Sequence, residues 1–316
     1  MTERHIPVLL DDVVDVLAPR DGAVYVDATF GAGGYTRALL EAADCSVWAI
    51  DRDPEAIETG RNIAATYGQR LTVLQGRFGD MKELLADVGV TQVDGIALDI
   101  GVSSMQIDDP ARGFSFRFDG PLDMRMEKEG MSAADAVNRL AEKELADIIY
   151  RYGEERASRK IARAIVELRE HTPITRTGQL ADIVRKVVRK SKDGIDPATR
   201  TFQALRVYVN EELAELDRGL TAAEALLGVG GRLAAVSFHS LEDRRIKTFF
   251  QERSGGGPRP SRHMPAGLEA GPAPTFDVPE RQGRKPSKAE TERNPRARSA
   301  RLRWGIRTAA PLQAAA

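Results

Sequence analysis

A glycine-rich segment between an apolar run and a helical stretch constrains the fold most strongly. Residues Asp27 to Gly34 follow the apolar run Ala23 to Val26 and precede a predicted helix from Thr36 to Ala42. A chain that turns from a strand into a helix through glycines can bring its backbone close to a ligand. The segment therefore predicts a nucleotide-type binding loop, whose glycines are Gly31, Gly33 and Gly34.

Short apolar runs separated by helical stretches recur along the chain. Continuous runs of this kind are typical of strands that are covered on both faces, with helices between them. The pattern predicts an α/β fold with a Rossmann-like, doubly wound parallel sheet. After the run Ala23 to Val26, the predicted strands are residues 47–50, 71–74, 96–98 and 233–236.

A long helical stretch interrupts this alternation. Between Ser104 and Gly230 apolar residues recur at spacings of three and four, and Asp196-Pro197 resembles a helix start. We predict an all-helical domain inserted after the fourth strand. Residues 254–286 contain 7 Pro and 6 Gly, which predicts a loop. The predicted α/β domain consists of residues 1–106 and 216–316, and its second part includes this loop and a basic tail. The predicted insertion is residues 107–215.

Three sets of apolar residues predict helix faces in the helical stretch. They are Ile161, Ala164, Ile165 and Leu168; Leu180, Ile183, Val184, Val187 and Val188; and Phe202, Leu205, Val209, Leu213 and Leu216.

Composition excludes several classes of protein. No apolar run is long enough to span a membrane, and residues 1–10 carry no signal-peptide pattern, so we expect a cytoplasmic protein. Cys45 is the single cysteine, which excludes an internal disulfide and any zinc site with two thiolates. The four histidines form no H-E-x-x-H pair, and no metal site is expected.

Charge is uneven along a chain whose net charge is only −1. Residues 1–104 carry 8 Lys and Arg against 17 Asp and Glu, whereas residues 253–316 carry 13 against 5. This asymmetry suggests a polyanionic partner that one part of the chain holds. A solvated basic tail explains it equally well.

The acidic residue after the second predicted strand narrows the choice of cofactor. Asp51 lies 20 residues after Gly31, where a carboxylate can accept both hydroxyls of an adenosine ribose. Thr36 stands where a dinucleotide-binding loop needs its third glycine, so NAD is disfavoured. S-adenosylmethionine has no pyrophosphate to hold and fits best, which predicts a class I methyltransferase fold.

Seven motifs carry a resemblance to one family. In chain order the motifs are His5–Leu10, Asp27–Gly34, Asp51–Pro54, Asp99–Ser104, Arg112–Phe116, Pro121–Met126 and Ser237–Arg244. With these motifs the sequence resembles the RsmH/MraW family, bacterial enzymes that methylate N4 of a decoding-centre cytosine, cytosine 1402, in 16S ribosomal RNA. The resemblance covers about residue 5 to Arg307 and implies a 30S-subunit substrate and a substrate-binding role for the insertion.

The resemblance also implies a set of residues that contact S-adenosylmethionine. Tyr35 departs from the family, which usually has histidine there, so a backbone contact is expected. Met105 replaces the usual proline before Gln106, which predicts a looser turn. The implied contacts, with Gly31 added from the loop, are Gly31, Gly33, Gly34, Tyr35, Asp51, Phe78, Asp99 and Gln106.

The end of the fourth strand is the predicted chemical site. In such folds the loop there faces the reacting end of the cofactor, and an exocyclic amine needs acceptors that orient its N–H groups. Asp99 is the predicted catalytic residue, although a purely cofactor-binding or loop-capping role is an equal alternative. Methylation of pyrimidine C5 needs a cysteine nucleophile, and Cys45 lies far from Asp99 in this architecture, so that chemistry is excluded.

Other side chains have both a functional and a structural interpretation. His239 could point toward the substrate amine, whereas Ser240 with Asp243 predicts a helix cap. An extended segment would place three phenylalanines on one face for base stacking, although core packing explains them more often. Met124 and Met126 carry the same ambiguity. The phenylalanines are Phe114, Phe116 and Phe118.

Two basic runs predict RNA binding, because arginine and lysine clusters supply affinity for phosphates. A solvated helix face is the alternative for either run alone. Two other functions remain open: methylation of a different RNA atom, and a non-catalytic RNA-binding assembly factor. The runs are Arg185, Lys186, Arg189, Lys190 and Lys192 in the insertion, and Arg293, Arg296, Arg298, Arg301 and Arg303 in the tail.

Overall fold

The computed structural model describes residues 7–190, 194–255 and 273–312. The chain divides into two compact units, residues 1–101 with 214–316, and residues 102–213. These boundaries lie within five residues of those that the sequence predicts. Most of the segment 254–286 lies outside the described residues.

The first unit is built on a seven-stranded sheet. Its strand order is β3-β2-β1-β4-β5-β7-β6, in which β1 to β5 run parallel and β7 is antiparallel to both neighbours. The predicted fold class is confirmed. The strands are β1 (Val24–Asp27), β2 (Ser46–Asp51), β3 (Leu71–Gln75), β4 (Val93–Asp99), β5 (Leu227–Ser237), β6 (Phe276–Asp277) and β7 (Arg301–Arg307).

Helices connect these strands and form the second unit. Where the structure describes the chain, they are α1 (Leu10–Leu17), α2 (Gly34–Ala42), α3 (Pro54–Tyr67), α4 (Met81–Asp87), α5 (Ser104–Asp108), α6 (Ala133–Arg139), α7 (Glu142–Gly153), α8 (Ser158–Arg169), α9 (Thr177–Val187), α10 (Ala198–Val209), α11 (Glu212–Leu226), α12 (Ser240–Arg253) and α13 (Lys288–Arg293). Among the described residues, no helix is long and apolar enough to cross a membrane.

Two hydrophobic cores cover the two faces of the sheet. Leu39 of α2 and Ile63 of α3 belong to one, whereas Leu85 of α4, Leu220 of α11 and Ile246 of α12 belong to the other. Burial on both faces explains why the strands are continuous apolar runs. Strand order reverses between β1 and β4, which places a crevice at the carboxyl ends of these strands.

The predicted basic tail is partly a strand. Arg301–Arg307 forms β7, and Phe276–Asp277 forms β6 inside the segment predicted as a loop. Arg303 is buried and donates hydrogen bonds of 2.6 and 3.1 Å to the carboxylate of Asp243. The tail prediction is wrong here, because arginines at alternate positions hide the strand pattern and find acceptors within the fold.

The second unit has its own helical core. Leu180 and Phe202 belong to it, and the helical spacing of its apolar residues is confirmed. One predicted helix face is wrong, since the apolar set from Phe202 to Leu216 is divided between α10 and α11. The break occurs at Glu211, whose φ is +53°. Helix α10 begins close to the predicted place, but its N-cap is Pro197 rather than Asp196. The carboxylate of Asp196 accepts a 2.9 Å hydrogen bond from the N–H of Ala198, the first residue of the helix.

Candidate active site

The glycine loop is anchored at both ends by a buried carboxylate. Asp27 is the last residue of β1, and its Oδ2 accepts hydrogen bonds from the N–H (3.1 Å) and hydroxyl (2.7 Å) of Thr36 in α2. Burial raises the pKa of Asp27, and these hydrogen bonds oppose the rise. Thr36, which stands in place of a third glycine, therefore ties the helix to the strand end.

Two glycines in the loop adopt left-handed backbone conformations. Gly31 has φ +52° and Gly33, the N-cap of α2, has φ +76°. A Cβ on Gly33 would lie 2.7 Å from the ring of Phe30, so glycine is required there. Gly33 has no side chain with which to cap α2, and Oδ2 of Asp27 accepts instead from the N–H of Thr36 in the first turn of the helix.

The next two loop residues are explained by packing. A Cβ on Gly34 would overlap Pro7, and the buried Tyr35 donates a 2.5 Å hydrogen bond from its hydroxyl to the carbonyl of Val8. The ring of Tyr35 is therefore committed to the core. A cofactor contact by either residue stays a prediction, and it would use the backbone. Pro7 and Val8 belong to the motif His5–Leu10, whose first two residues, His5 and Ile6, lie outside the described residues.

Asp51, at the end of β2, faces this loop. Its Oδ2 accepts a 2.7 Å hydrogen bond from the N–H of Gly31, and its Oδ1 accepts one of 2.8 Å from the N–H of Asp53. Burial raises the pKa of Asp51 to about 6, although these two N–H groups favour the charged form. The carboxylate predicted to hold the ribose is therefore mainly ionised at neutral pH and lies against the predicted loop.

Phe78 follows β3 in a short 3-10 turn, Phe78–Asp80. Its ring packs against Gly219 of α11, where a Cβ would overlap it. The residue is half-buried, so part of it stays accessible to a flat ligand. Its predicted cofactor contact remains a prediction.

Asp99 ends β4 beside the glycine loop. Its N–H donates a 2.6 Å hydrogen bond to the hydroxyl of Thr29, but its buried Oδ1 has no hydrogen-bond partner among the described residues. Burial, followed by repulsion from Asp27 and Glu242, raises the pKa of Asp99 to about 8. A buried acceptor without a donor is costly and is typical of a ligand site.

Gln106 belongs to the second unit, where it caps α5. Its side-chain oxygen accepts a 3.0 Å hydrogen bond from the N–H of Ser103, whose hydroxyl accepts one from the N–H of Gln106. This reciprocal capping box holds the turn despite Met105 in place of proline. Contact of Gln106 with a cofactor stays a prediction.

The cap of α12 differs from the prediction. His239, not Ser240, is the N-cap, and Asp243 pairs with Arg303. The buried carboxylate of Glu242 accepts hydrogen bonds from the N–H groups of Phe238 (2.7 Å) and His239 (3.2 Å). The Nε2 of His239 lies 2.9 Å from Glu242 Oε1, so its ring faces this acid within the cap.

The three phenylalanines do not form one stacking face. Phe114 is buried and Phe116 packs edge-to-face on Phe202 at 4.8 Å, whereas Phe118 is 60% exposed. The segment is irregular rather than extended, so the predicted alternation is wrong. The two methionines named with them, Met124 and Met126, are core residues.

The predicted basic run in the insertion is smaller than expected, because one member is paired. Arg185 pairs with Asp182 (3.1 Å) and Asp196 (3.0 Å), and it lies over the ring of Phe116, 5.5 Å from the centroid. Lys186, Arg189 and Lys190 are exposed, and Lys192 lies outside the described residues. In the tail, Arg293, Arg296 and Arg298 are also exposed.

The residues at the crevice fit S-adenosylmethionine. The Oδ1 of Asp99, which has no partner within the described ranges, suits a cationic or N–H-bearing group, and Asp51 offers a carboxylate for a ribose diol. The glycine loop lies between them, with Gly31 donating to Asp51, and Gly33 and Gly34 can carry no side chain because of Phe30 and Pro7. The two carboxylates and the loop would hold the cofactor, together with the backbone at the start of α2.

Fold and site together define a methyltransferase of class I architecture. The MraW methylase family matches residues 2–308, and the chain belongs to that family. Such methylases use S-adenosylmethionine as the methyl donor. The predicted family and cofactor are confirmed.

Named relatives resemble this chain along nearly its whole length. Ribosomal RNA small subunit methyltransferase H of Rhodospirillum centenum is 67% identical over 309 residues, 98% of this chain and 94% of that protein. The protein of the same name from Paramagnetospirillum magneticum is 62% identical over 98% of this chain and 97% of its own length.

An ion pair beside this site was missed by sequence reasoning. Arg52 follows Asp51 directly, and its Nη1 lies 2.6 Å from Oε2 of Glu215 in α11. Both side chains are at least nine-tenths buried. Because 163 residues separate the partners, no local pattern could have found the pair.

We expect Asp51→Asn to weaken the binding of S-adenosylmethionine about tenfold or more. A hydrogen bond to a charged acceptor contributes roughly 1.5 to 3 kcal/mol, and the amide retains the shape of the side chain. Isothermal titration calorimetry measures the affinity. Glu58→Gln, an exposed change on α3, is the control, and equal affinities for the two variants would contradict the ribose-binding role.

Proposed function

We propose that this protein transfers the methyl group of S-adenosylmethionine to N4 of a cytosine in the ribosomal RNA of the small subunit, cytosine 1402 in the decoding centre. The observation that carries the proposal is Asp99, at the end of β4 beside the glycine loop, whose Oδ1 has no hydrogen-bond partner in the described part of the chain. The relatives' shared name supports the small-subunit RNA as substrate. We expect the protein to act in the cytoplasm, on 30S particles.

Asp99 is the proposed catalytic residue. The cofactor supplies an electrophilic methyl group when bound. The Oδ1 atom of Asp99 accepts a hydrogen bond from the cytosine amine, which turns the nitrogen lone pair out of conjugation with the ring. The same oxygen then takes the proton that the methylated amine loses. Only the ionised carboxylate can do this, and its raised pKa makes it a stronger base than an ordinary aspartate.

The position of Cys45 supports an amine rather than a ring carbon as the methyl acceptor. The thiol is buried, donates to the carbonyl of Leu39 at 3.4 Å and directly precedes β2. It therefore lies at the amino ends of the strands, opposite the edge that carries Asp99. Burial also raises the pKa of Cys45, which disfavours the reactive thiolate.

The test is transfer of tritiated methyl groups to 30S particles that lack the modification. Digestion of the RNA to nucleosides and mass analysis should find N4-methylcytidine derivatives at one position. Methyl groups on adenine N6, on cytosine C5 or on a ribose would overturn the assignment. Binding of cofactor and particles without any transfer would favour an assembly factor instead.

A further inference from the structure

The ends of four helices meet at one end of the helical unit. Arg185 near the end of α9 pairs with Asp196, which lies just before α10. In α10, Arg200 donates a 3.3 Å hydrogen bond to the carbonyl of Glu154, which follows α7. Gly153 packs so tightly on this turn that a Cβ would lie 2.5 Å from the carbonyl oxygen of Arg200. The start of α8 follows four residues after Glu154, so it belongs to the same end.

Six exposed cations, named at the end of this paragraph, lie at this end. Across the described residues, 7–190, 194–255 and 273–312, the side chains of these six form no ion pair. The acids at the same end are largely engaged, because Asp182 and Asp196 pair with Arg185, and Glu155 is buried and accepts from the N–H of Ala157. We call the following six residues the basic end: Arg156, Arg159, Lys160, Lys186, Arg189 and Lys190.

The cations at the start of α8 do not stabilise that helix. Arg159 and Lys160 occupy its first turn, which contains no acidic residue. Positive charge at a helix start is unfavourable, because the helix dipole is positive there. The buried face of α8 is formed by other residues, such as Ile161 and Ile165. These charges therefore do not stabilise the helix, and they are available to an external anion.

An exposed aromatic ring accompanies the cations. Tyr150 lies in the last turn of α7 and is 61% exposed, so its ring is accessible to a ligand. Its neighbour Arg151 is exposed as well. Cations that follow a phosphate backbone and a ring on which a base stacks are the two elements of single-stranded RNA recognition.

We propose that the basic end and Tyr150 form a docking surface for the RNA substrate, where the lysines and arginines contact phosphates and the Tyr150 ring stacks on an unpaired base. This inference rests on the proposed function, since it takes RNA as the substrate. It adds Tyr150 and the cations around the start of α8 to the basic run that the sequence predicts on α9. Arg185 is not included, because it is paired with Asp182 and Asp196.

The first experiment neutralises the cations around the start of α8 with Arg156→Gln, Arg159→Gln and Lys160→Gln in the full-length protein. Unmodified 16S rRNA transcript and 30S particles are the two probes, and binding is measured at several salt concentrations. Removing one phosphate-binding charge lowers the log–log salt slope by roughly 0.7 to 0.9, so the triple variant should show a slope smaller by about two units. At low salt its affinity should fall at least about tenfold, with unchanged S-adenosylmethionine affinity by calorimetry.

A charge-matched control separates this surface from a general decrease in positive charge. Arg61→Gln, Lys82→Gln and Lys247→Gln remove three exposed cations of the first unit, and this variant should keep the parental slope. Tyr150→Ala should weaken binding about 5- to 100-fold without changing the slope, because stacking involves no counterion release.

The outcomes distinguish failure of the inference from failure of the proposed function. A triple variant with the parental slope, from a wild type that methylates 30S particles, would overturn the docking surface alone. Loss of binding to 30S particles but not to protein-free transcript would assign the surface to a ribosomal protein and would also overturn it. A wild type that neither binds nor methylates RNA would overturn both proposals.

Discussion

Replacing Asp99 by asparagine is expected to make the protein more stable and to abolish methyl transfer. Folding raises the pKa of this carboxyl from 3.8 to about 8, chiefly through burial. A raised carboxyl pKa destabilises the folded state increasingly as pH rises from the ordinary value to the raised one. Asparagine carries no charge, so its advantage should grow from about pH 4 to pH 8 and stay constant above. We expect about 3 to 5 kcal/mol at pH 8.

Urea unfolding at about pH 5 and about pH 8 measures this effect, and a constant difference between the two would contradict it. Activity should fall at least about 100-fold, the usual contribution of a positioned base. A comparison of ligands tests the charge itself, because S-adenosylhomocysteine lacks the sulfonium cation. Wild-type affinity for S-adenosylmethionine should rise with pH through about 8 more steeply than affinity for S-adenosylhomocysteine, and Asp99→Asn should remove that difference.

The gain in stability would identify Asp99 as a residue kept for function. An oxygen that finds no partner among the described residues and a carboxyl that resists ionisation are both costs to the fold. A stabilising substitution that inactivates the protein is the expected signature of such a site.

Strands β1 to β5 could be predicted because both faces of the sheet are buried. Each strand is then a continuous run of apolar residues, whereas a helix with one buried face would have polar residues between the apolar ones. Strand β7 could not be predicted, since Arg301, Arg303 and Arg307 make it resemble a solvated tail. Its arginines have partners that are distant in sequence: Arg303 pairs with Asp243, and Arg307 donates a hydrogen bond to the carbonyl of Thr275. Tertiary contacts of this kind leave no trace in local periodicity.

In the candidate site, too, only the features that depend on local sequence pattern could be predicted. The contact between Asp51 and Gly31 could be predicted, because the strand–loop–helix pattern fixes where both residues lie. The rise in the pKa of Asp99 could not, since it depends on burial and on the charges of Asp27 at the end of β1 and Glu242 in the first turn of α12. The phenylalanine stripe failed for a related reason: alternation places side chains on one face only in a strand, and Phe114 to Phe118 is irregular.

Breaking the ion pair between Arg52 and Glu215 is expected to destabilise the first unit strongly. Arg52→Met leaves the fully buried Glu215 carboxylate without its arginine, 2.6 Å away in the native protein. Loss of one partner from a buried pair costs about 3 to 5 kcal/mol, because the remaining charge keeps its desolvation penalty. Urea unfolding should measure a lower midpoint with an unchanged slope.

A second substitution, at Glu215, should restore most of the stability that Arg52→Met removes. Arg52→Met combined with Glu215→Leu removes both charges, and apolar replacement of a buried pair is often neutral or stabilising. The matched control is Arg20→Met, which breaks the 2.9 Å pair with Asp94 at the surface of the same unit, where the side chains are 68% and 38% exposed. An exposed pair contributes at most about 1 kcal/mol. If Arg52→Met cost no more than Arg20→Met, the Arg52–Glu215 pair would not stabilise the chain segment next to Asp51, and the positioning of that carboxylate would depend on its hydrogen bonds to Gly31 and Asp53 alone.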